Sequence, residues 1–231
     1  MPDYPPHLLV DGAGCNDVNG VFALQEGLLH EQCPVYAGLS DFSITVCQGP
    51  SADDGSLQWG WIIGQAGVPA YGCPTDKKEV IPLQGWQAFE ADSPAPNLRG
   101  LWDKDEEAAA FADEAFRRAA SDTIGNQKIA VKAFRKALQG GAKLQANWTK
   151  RAQLHTALAS LLRILGKEDQ AQTEVDQALQ LCPLPGALLL KAQIFNAAGK
   201  EPGWNSSFGR EIRRQHRGCN IRNRIIRPAE N

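Results

Sequence analysis

Side chains that commonly carry catalysis or bind metal ions are scattered along this sequence. The four histidines lie far from one another and outside any recognisable nucleophile or metal motif. They are His7, His30, His155 and His216. No phosphate-binding loop, G-x-S-x-G, H-E-x-x-H or kinase signature occurs. The sequence therefore predicts a protein that is not an enzyme and needs no metal ion or other cofactor, with His155 serving in packing.

Six cysteines form no C-x-x-C pair and have no histidine at metal-ligand spacing. They are Cys15, Cys33, Cys47, Cys73, Cys182 and Cys219. In a chain that is not secreted, such thiols are free and partly buried. The N-terminus lacks the features of a signal peptide, and no stretch approaches the roughly 18 apolar residues of a membrane helix. We expect a soluble, cytoplasmic protein without membrane contact.

A glycine-rich turn, Gly12-Ala13-Gly14, follows an apolar strand and invites a nucleotide-binding interpretation. The dinucleotide fingerprint needs a third glycine and a helix that starts at the turn. Here position 17 is Asp, and Asn19-Gly20 indicates a hairpin instead. Nucleotide binding is therefore disfavoured.

Residues 205–231 form an arginine-rich tail with seven arginines, which could bind phosphates or acidic protein surfaces. They are Arg210, Arg213, Arg214, Arg217, Arg222, Arg224 and Arg227. One interpretation is an RNA-associated protein that neutralises phosphates through this tail. The other is docking on the N-terminal half, because residues 1–100 hold 12 acidic and 3 basic side chains, a net charge of −9. No aromatic platform accompanies the arginines, which favours docking or a solvated tail.

The N-terminal half, residues 1–92, has short apolar runs separated by turn residues, which predicts an all-β module. Phe42/Ile44/Val46 and Trp59/Trp61/Ile63 alternate with period two, as in strands with one buried face. The 8–12-residue spacing of the runs indicates an antiparallel sandwich or a partly closed barrel. Trp59, Trp61 and Trp86 fit a core stripe better than an aromatic groove. A small-molecule site or an enzyme in this module remains an alternative.

The order of motifs in this half resembles a small β module of multidomain proteins from single-celled algae and other protists. The residues that carry the resemblance include Asp11-Gly12-Ala13-Gly14, Val18-Asn19-Gly20-Val21-Phe22 and Gly85-Trp86. These are turn and core residues, so the resemblance implies a fold and, at most, an accessory or recognition role. A short linker, residues 93–101, follows the module. The predicted fold class is accordingly α+β with two domains.

Residues 102–204 show apolar spacing close to 3.6, and one stretch carries a repeat pattern. Its defining positions are Leu158, Ala159, Leu162, Gly166, Ala171, Val175, Ala178 and Pro183. In this pattern small residues let two antiparallel helices approach closely, and the proline ends the second helix. The C-terminal half therefore resembles a tetratricopeptide repeat array of helical hairpins, a fold that implies binding of protein or peptide partners.

The units that flank this repeat are less regular. Ala130-x-x-x-Phe134-x-x-Ala137 repeats the spacing of Ala171-x-x-x-Val175-x-x-Ala178 with an offset of 41 residues. The usual period is about 34, so we expect a lengthened helix from about Ala146 to Leu165. A third unit restarts near Leu188 and departs from the pattern at Pro202-Gly203.

The first helix of each unit lines the concave face in such an array. Polar side chains at these positions predict a site for a short peptide held by hydrogen bonds. They are Gln153, Thr156, Ser160, Arg163, Gln193 and Asn196. Some chaperone-binding relatives hold a C-terminal carboxylate with a clamp of lysine and asparagine side chains on this face. Thr156 and Ser160 stand where that clamp would begin, so the resemblance does not support a chaperone-tail receptor. A solvated helix face is the other interpretation. The sequence favours a non-catalytic adaptor or scaffold.

Overall fold

The computed structural model describes residues 4–51, 54–90 and 92–197, and these form two compact units. The first unit is Met1–Asn147 and the second is Trp148–Asn231. The described part of the first contains a β-sheet and three helices, and that of the second contains three further helices. The boundary between these units follows Asn147, whereas the sequence predicts a domain boundary at a linker of residues 93–101. The arginine-rich tail and Pro202-Gly203 lie outside the described residues.

Eight antiparallel strands of the first unit form one sheet. They are β1 (His7–Asp11), β2 (Gly20–His30), β3 (Cys33–Gly38), β4 (Phe42–Pro50), β5 (Leu57–Gln65), β6 (Val68–Thr75), β7 (Gln87–Ala88) and β8 (Asn97–Leu101). The order across the sheet is β7-β6-β5-β4-β3-β2-β1-β8. The first seven strands thus form a meander, and β8 returns to pair with β1. This last strand lies within the range that composition predicts to be a linker.

The core of the sheet lies on one face. In the register of β4 and β5, Ile44 is opposite Ile63 and Val46 is opposite Trp61, and all four are fully buried. The predicted alternation is therefore confirmed. The strands curl over this single core as a half-barrel, so the two-sheet sandwich is not confirmed. A single sheet can curl around this core because irregularities in its register, such as the one between Ile63 and Gly64, bend the strand and increase the local twist.

Three helices complete the first unit: α1 (Lys104–Ala119), α2 (Ile124–Leu138) and α3 (Ala142–Ala146). The Asp103 carboxylate caps α1 by accepting the Asp105 N–H at 2.9 Å, and the Thr123 hydroxyl caps α2. The rings of Phe116 and Phe134 pack edge to face between the two helices, with centroids 5.1 Å apart. These contacts make α1 and α2 a packed helix pair.

Two buried charges fix α1 on the sheet. The Glu114 carboxylate accepts the Val21 N–H at 2.9 Å, and only 4% of Glu114 is exposed. The Arg118 guanidinium, 2% exposed, binds the Asp17 carboxylate and donates to the Asn126 side chain at 2.7 Å. A buried charge is tolerated only with such partners. The pair therefore links α1 to the β1–β2 loop and to the start of β2.

Gly20 is required where this carboxylate meets the sheet. A Cβ atom at position 20 would lie 2.5 Å from the Glu114 Oε1 atom, and the residue has a φ of +152°. Only glycine combines this backbone geometry with such a close approach. The Asn19-Gly20 pair, which predicts a hairpin from sequence, therefore also serves the contact with α1.

The described part of the second unit consists of α4 (Trp148–Ile164), α5 (Glu168–Leu181) and α6 (Pro185–Ala197). Gly166 ends α4 with a φ of +71°, and the Lys167 N–H donates to the Leu162 carbonyl at 2.9 Å. This hydrogen bond and the Gly166-to-Arg163 bond form a Schellman motif. α4 covers most of the predicted long helix, whereas α3 is separated from it at Asn147.

Removing the Glu114 side chain tests the link between α1 and the sheet. We expect Glu114→Ala to lower the free energy of unfolding by about 3–5 kcal/mol. Arg118 loses a buried carboxylate whose Oε1 atom lies 3.8 Å from its Nε atom, and the Val21 N–H loses its acceptor. Urea unfolding followed by tryptophan fluorescence measures this. Asp113→Ala, at the exposed neighbouring position of α1, is the control and should stay within about 0.5 kcal/mol of wild type. Equal losses in both variants would contradict the assignment.

The same carboxyl predicts a pH dependence. Burial raises the pKa of Glu114, and this outweighs the Val21 N–H bond and the charges of Arg118 and Arg117, which lower it. The folded state therefore retains the proton to higher pH than the unfolded chain. The additional stability that protonated Glu114 gives, relative to its carboxylate form, is present below its ordinary pKa of 4.5 and is lost as pH rises through the folded pKa. The difference in unfolding free energy between wild type and Glu114→Gln should fall over this window. A difference independent of pH would contradict the prediction.

Candidate peptide-binding surface

Small residues set the spacing of the three helices in the second unit. Ala152 on α4, Ala178 on α5 and Ala187 on α6 are fully buried and form one cluster. A methyl group at each position lets the helix backbones approach closely, as the repeat pattern predicts. Leu154, Leu158 and Leu162 are also buried and complete the interior side of α4. The opposite side of α4 is thereby left for solvent or a ligand.

A polar pair joins the middle of α4 to the middle of α5. The Nδ1 atom of His155 lies 2.7 Å from the Glu174 Oε2 atom, and only 7% of His155 is exposed. The hydrogen bond satisfies both groups away from bulk water. His155 therefore has the packing role that the sequence predicts, with a specific partner that the sequence does not reveal.

The six residues of the predicted peptide-binding face differ in exposure. Gln153, Gln193 and Asn196 are exposed, whereas Thr156, Ser160 and Arg163 are half-buried. The Thr156 hydroxyl donates to the Ala152 carbonyl at 2.7 Å, so its hydrogen is already engaged. The Thr156 methyl lies 3.9 Å from the position that a Cβ atom on Gly186 would occupy. The N-terminal turn of α6 thus approaches α4 beside Thr156.

Two apolar side chains flank this polar face, and spacing alone does not identify them. Leu189 is 62% exposed and lies one turn before Gln193 on α6, while Ile164 is 64% exposed and lies one turn after Ser160 on α4. Residues four apart share a helix face. Polar groups with apolar neighbours suit a peptide that presents both hydrogen-bonding groups and an apolar side chain.

The other candidate chemistry of the sequence is not brought together by the fold. The Gly12-Ala13-Gly14 turn is followed by β2, so no helix N-terminus faces a phosphate there. Trp61 and Trp86 are buried, and the Trp86 indole N–H donates to the Pro82 carbonyl at 2.9 Å. The core interpretation is confirmed for these two tryptophans. Half-buried Trp59 instead has the Lys78 ammonium 4.4 Å from its ring centroid.

The thiols of the described residues are not arranged for redox or metal chemistry. Cys15, Cys33, Cys47, Cys73 and Cys182 are unpaired, as the sequence predicts for them. Burial raises the pKa of the Cys33, Cys47 and Cys73 thiols, which keeps them protonated. Within residues 4–51, 54–90 and 92–197, no group of three metal-binding side chains converges. The same part of the chain contains no helix long and apolar enough to cross a membrane.

The remaining predicted site residues, Arg210, Arg213, Arg214 and Arg217, lie outside the described residues. His216 and Cys219 lie there too.

Comparison with known proteins bears on the helical region. Residues 110–184 match the family model described as Tetratrico peptide repeat, from within α1 to the residue before α6. The chain therefore has a C-terminal region of tetratricopeptide type, as the spacing predicts. No curated protein and no solved structure matches the chain.

Enlarging a buried alanine tests the packing that carries this pattern. Ala178→Leu should lower the free energy of unfolding by about 1–3 kcal/mol, because Ala178 is fully buried with Ala152 and Ala187 and three further carbons must displace its neighbours. Chemical denaturation followed by circular dichroism at 222 nm is the measurement. Gln177→Leu, at the adjacent exposed position of α5, should change stability by less than about 0.5 kcal/mol. If the two substitutions cost the same, Ala178 does not set the helix spacing.

Proposed function

We propose that this protein is a non-catalytic adaptor that binds a peptide segment of a partner protein on the α4–α6 surface. This surface comprises Gln153, Thr156, Ser160, Arg163, Gln193 and Asn196, together with Leu189 and Ile164. The match to a tetratricopeptide model carries the proposal, because repeats of this type bury one side of each helix and present the other to partners. In this proposal α1–α2 and α4–α5 are two repeat units, and α6 begins a third.

The chemistry of the surface supports a short peptide. Exposed Gln153, Gln193 and Asn196 offer both hydrogen-bond donors and acceptors, which suits peptide backbone groups. Leu189, exposed beside Gln193, supplies an apolar contact that a side chain of the peptide can cover. Arg163 adds one positive charge at the C-terminal end of α4. We infer a partner segment with an apolar anchor and free backbone groups.

The thiols and the tryptophans of the described residues support the cytoplasmic setting and the non-catalytic role in this proposal. Five unpaired thiols are in keeping with a reducing, cytoplasmic setting. Burial of Trp61 and Trp86 weakens the alternative of a small-molecule site or an enzyme in the β module, because the three tryptophans do not line one open groove. The alternative of an RNA-associated protein rests on Arg210–Arg227, which lie outside the described residues.

Peptides selected from a random library against the full-length chain provide the test. We expect Leu189→Ser, and separately Gln193→Ala with Asn196→Ala, to weaken the best selected peptide about tenfold in fluorescence anisotropy. Gln177→Ala, on an exposed position of α5, is the matched control and should bind like wild type.

Two results would contradict the proposed site. One is a selection that yields no peptide with measurable affinity for the full-length chain. The other is a peptide that binds wild type, the α4–α6 surface variants and the Gln177→Ala control equally well.

A further inference from the structure

A second surface of this unit lies between α5 and α6 and is distinct from the proposed peptide site. The two helices enclose a groove of about 400 Å³. Its acidic side chains are Glu168, Asp169 and Asp176 on α5, and its apolar wall is formed by Ile194 and Phe195 on α6. We refer to these residues, with Lys191 and Ala197, as the α5–α6 groove. An acidic rim beside an apolar wall selects a ligand that is both cationic and apolar.

The charges of the groove are only partly neutralised. Asp176 binds the Lys191 ammonium at 2.7 Å and accepts a hydrogen bond from the Gln172 side chain at 2.9 Å. Glu168 and Asp169 are exposed, and their carboxylates form no ion pair with other described residues. Three acids and one lysine leave a net charge of −2. The two free carboxylates lie in the first turn of α5, where they also interact favourably with the helix dipole.

The same chain contains a segment with the complementary chemistry. The arginine-rich tail, residues 205–231, has seven arginines and two glutamates, a net charge of +5. Four isoleucines are interspersed among the arginines. They are Ile212, Ile221, Ile225 and Ile226. A segment of this composition offers guanidinium groups to carboxylates and aliphatic side chains to an apolar wall.

Few residues separate the end of α6 from the start of the tail in the sequence. Ala197 is the last described residue of α6, and it lines the groove itself. Only seven residues, 198–204, separate Ala197 from the start of the tail. A short tether gives an effective local concentration in the millimolar range, which favours binding within the chain over binding to another molecule.

We propose that the arginine-rich tail binds in the α5–α6 groove of its own chain. Its arginines pair with Glu168 and Asp169, and its isoleucines contact Ile194 and Phe195. In this proposal the positive charges of the tail interact with carboxylates of the same chain rather than with another molecule. The acidic N-terminal half, a second copy of the chain and nucleic acid are the competing occupants or ligands.

Limited digestion of the full-length protein with an arginine-specific protease tests the proposal. The initial rate of cleavage within residues 205–231 is followed by intact mass. At low ionic strength, Glu168→Lys with Asp169→Lys should raise this rate about fivefold, since two ion pairs are lost. Added salt should accelerate cleavage of wild type and shrink the difference, because it screens exposed charges. Both substituted positions are exposed, and circular dichroism confirms that the helices remain.

A charge swap makes the test specific. Arg213→Glu with Arg214→Glu should release the tail, and combining these changes with the two lysine substitutions should restore slow cleavage at the remaining arginines. Asp76→Lys with Glu79→Lys, at exposed acidic positions of the N-terminal half, is the matched control and should cleave like wild type. Restoration by the swap, with a silent control, supports the proposal.

Four outcomes would overturn it. Equal cleavage of wild type and the Glu168/Asp169 variant shows that the groove does not hold the tail. Release by the Asp76/Glu79 control assigns the tail to the N-terminal half. Protection that grows with protein concentration indicates a second copy as the occupant. Protection that appears only with added single-stranded RNA, and equally in wild type and the groove variant, indicates nucleic acid as the ligand.

Discussion

The buried charges of Glu114 and Arg118 are the constraint on which the first unit depends. They lie one turn apart on α1, and their partners Val21 and Asp17 precede them by 93 and 101 positions in the sequence. Neither charge could remain inside the protein without those partners, because the loss of solvation by water would be uncompensated. The position of α1 on the sheet is therefore fixed by chemistry as well as by apolar packing. This constraint explains why the first helix pair shares a compact unit with the strands.

Local patterns predict much of the fold, because they report which side of an element is buried. The alternation in β4 and β5 and the spacing of Ala171, Val175 and Ala178 each follow from a single buried face. The hydrogen bond between Glu114 and Val21 joins positions far apart in the sequence, and the local pattern around neither residue predicts it. Strand β8 is missed for a related reason. Its five residues follow a proline-rich stretch, and only pairing with β1 makes them a strand.

The candidate site shows the same division between local and tertiary information. Helical spacing places Gln153, Gln193 and Asn196 on exposed positions, because a repeat fixes which helix face is buried. It gives no reason to single out Leu189, which stands in a run of three leucines. In the structure Leu188 and Leu190 are buried and Leu189 is exposed. The orientation of α6 against α4 and α5 makes this distinction, and that orientation comes from the contacts among Ala152, Ala178 and Ala187.

The composition of α6 connects the two surfaces of the helical unit. A helix that is apolar on all sides is normally buried on all sides. Within the described residues, Ala187, Leu188, Leu190 and Ile194 are buried, which leaves Leu189 exposed on one flank and Phe195 half-buried on another. At 100° per residue these two side chains point about 120° apart, so they lie on different flanks of the helix. The polar neighbours also differ: Gln193 and Asn196 accompany Leu189, whereas Lys191 and the acids of α5 accompany Phe195. The chemistry of α6 therefore favours two different ligands, a hydrogen-bonding peptide on the first flank and a cationic segment on the second.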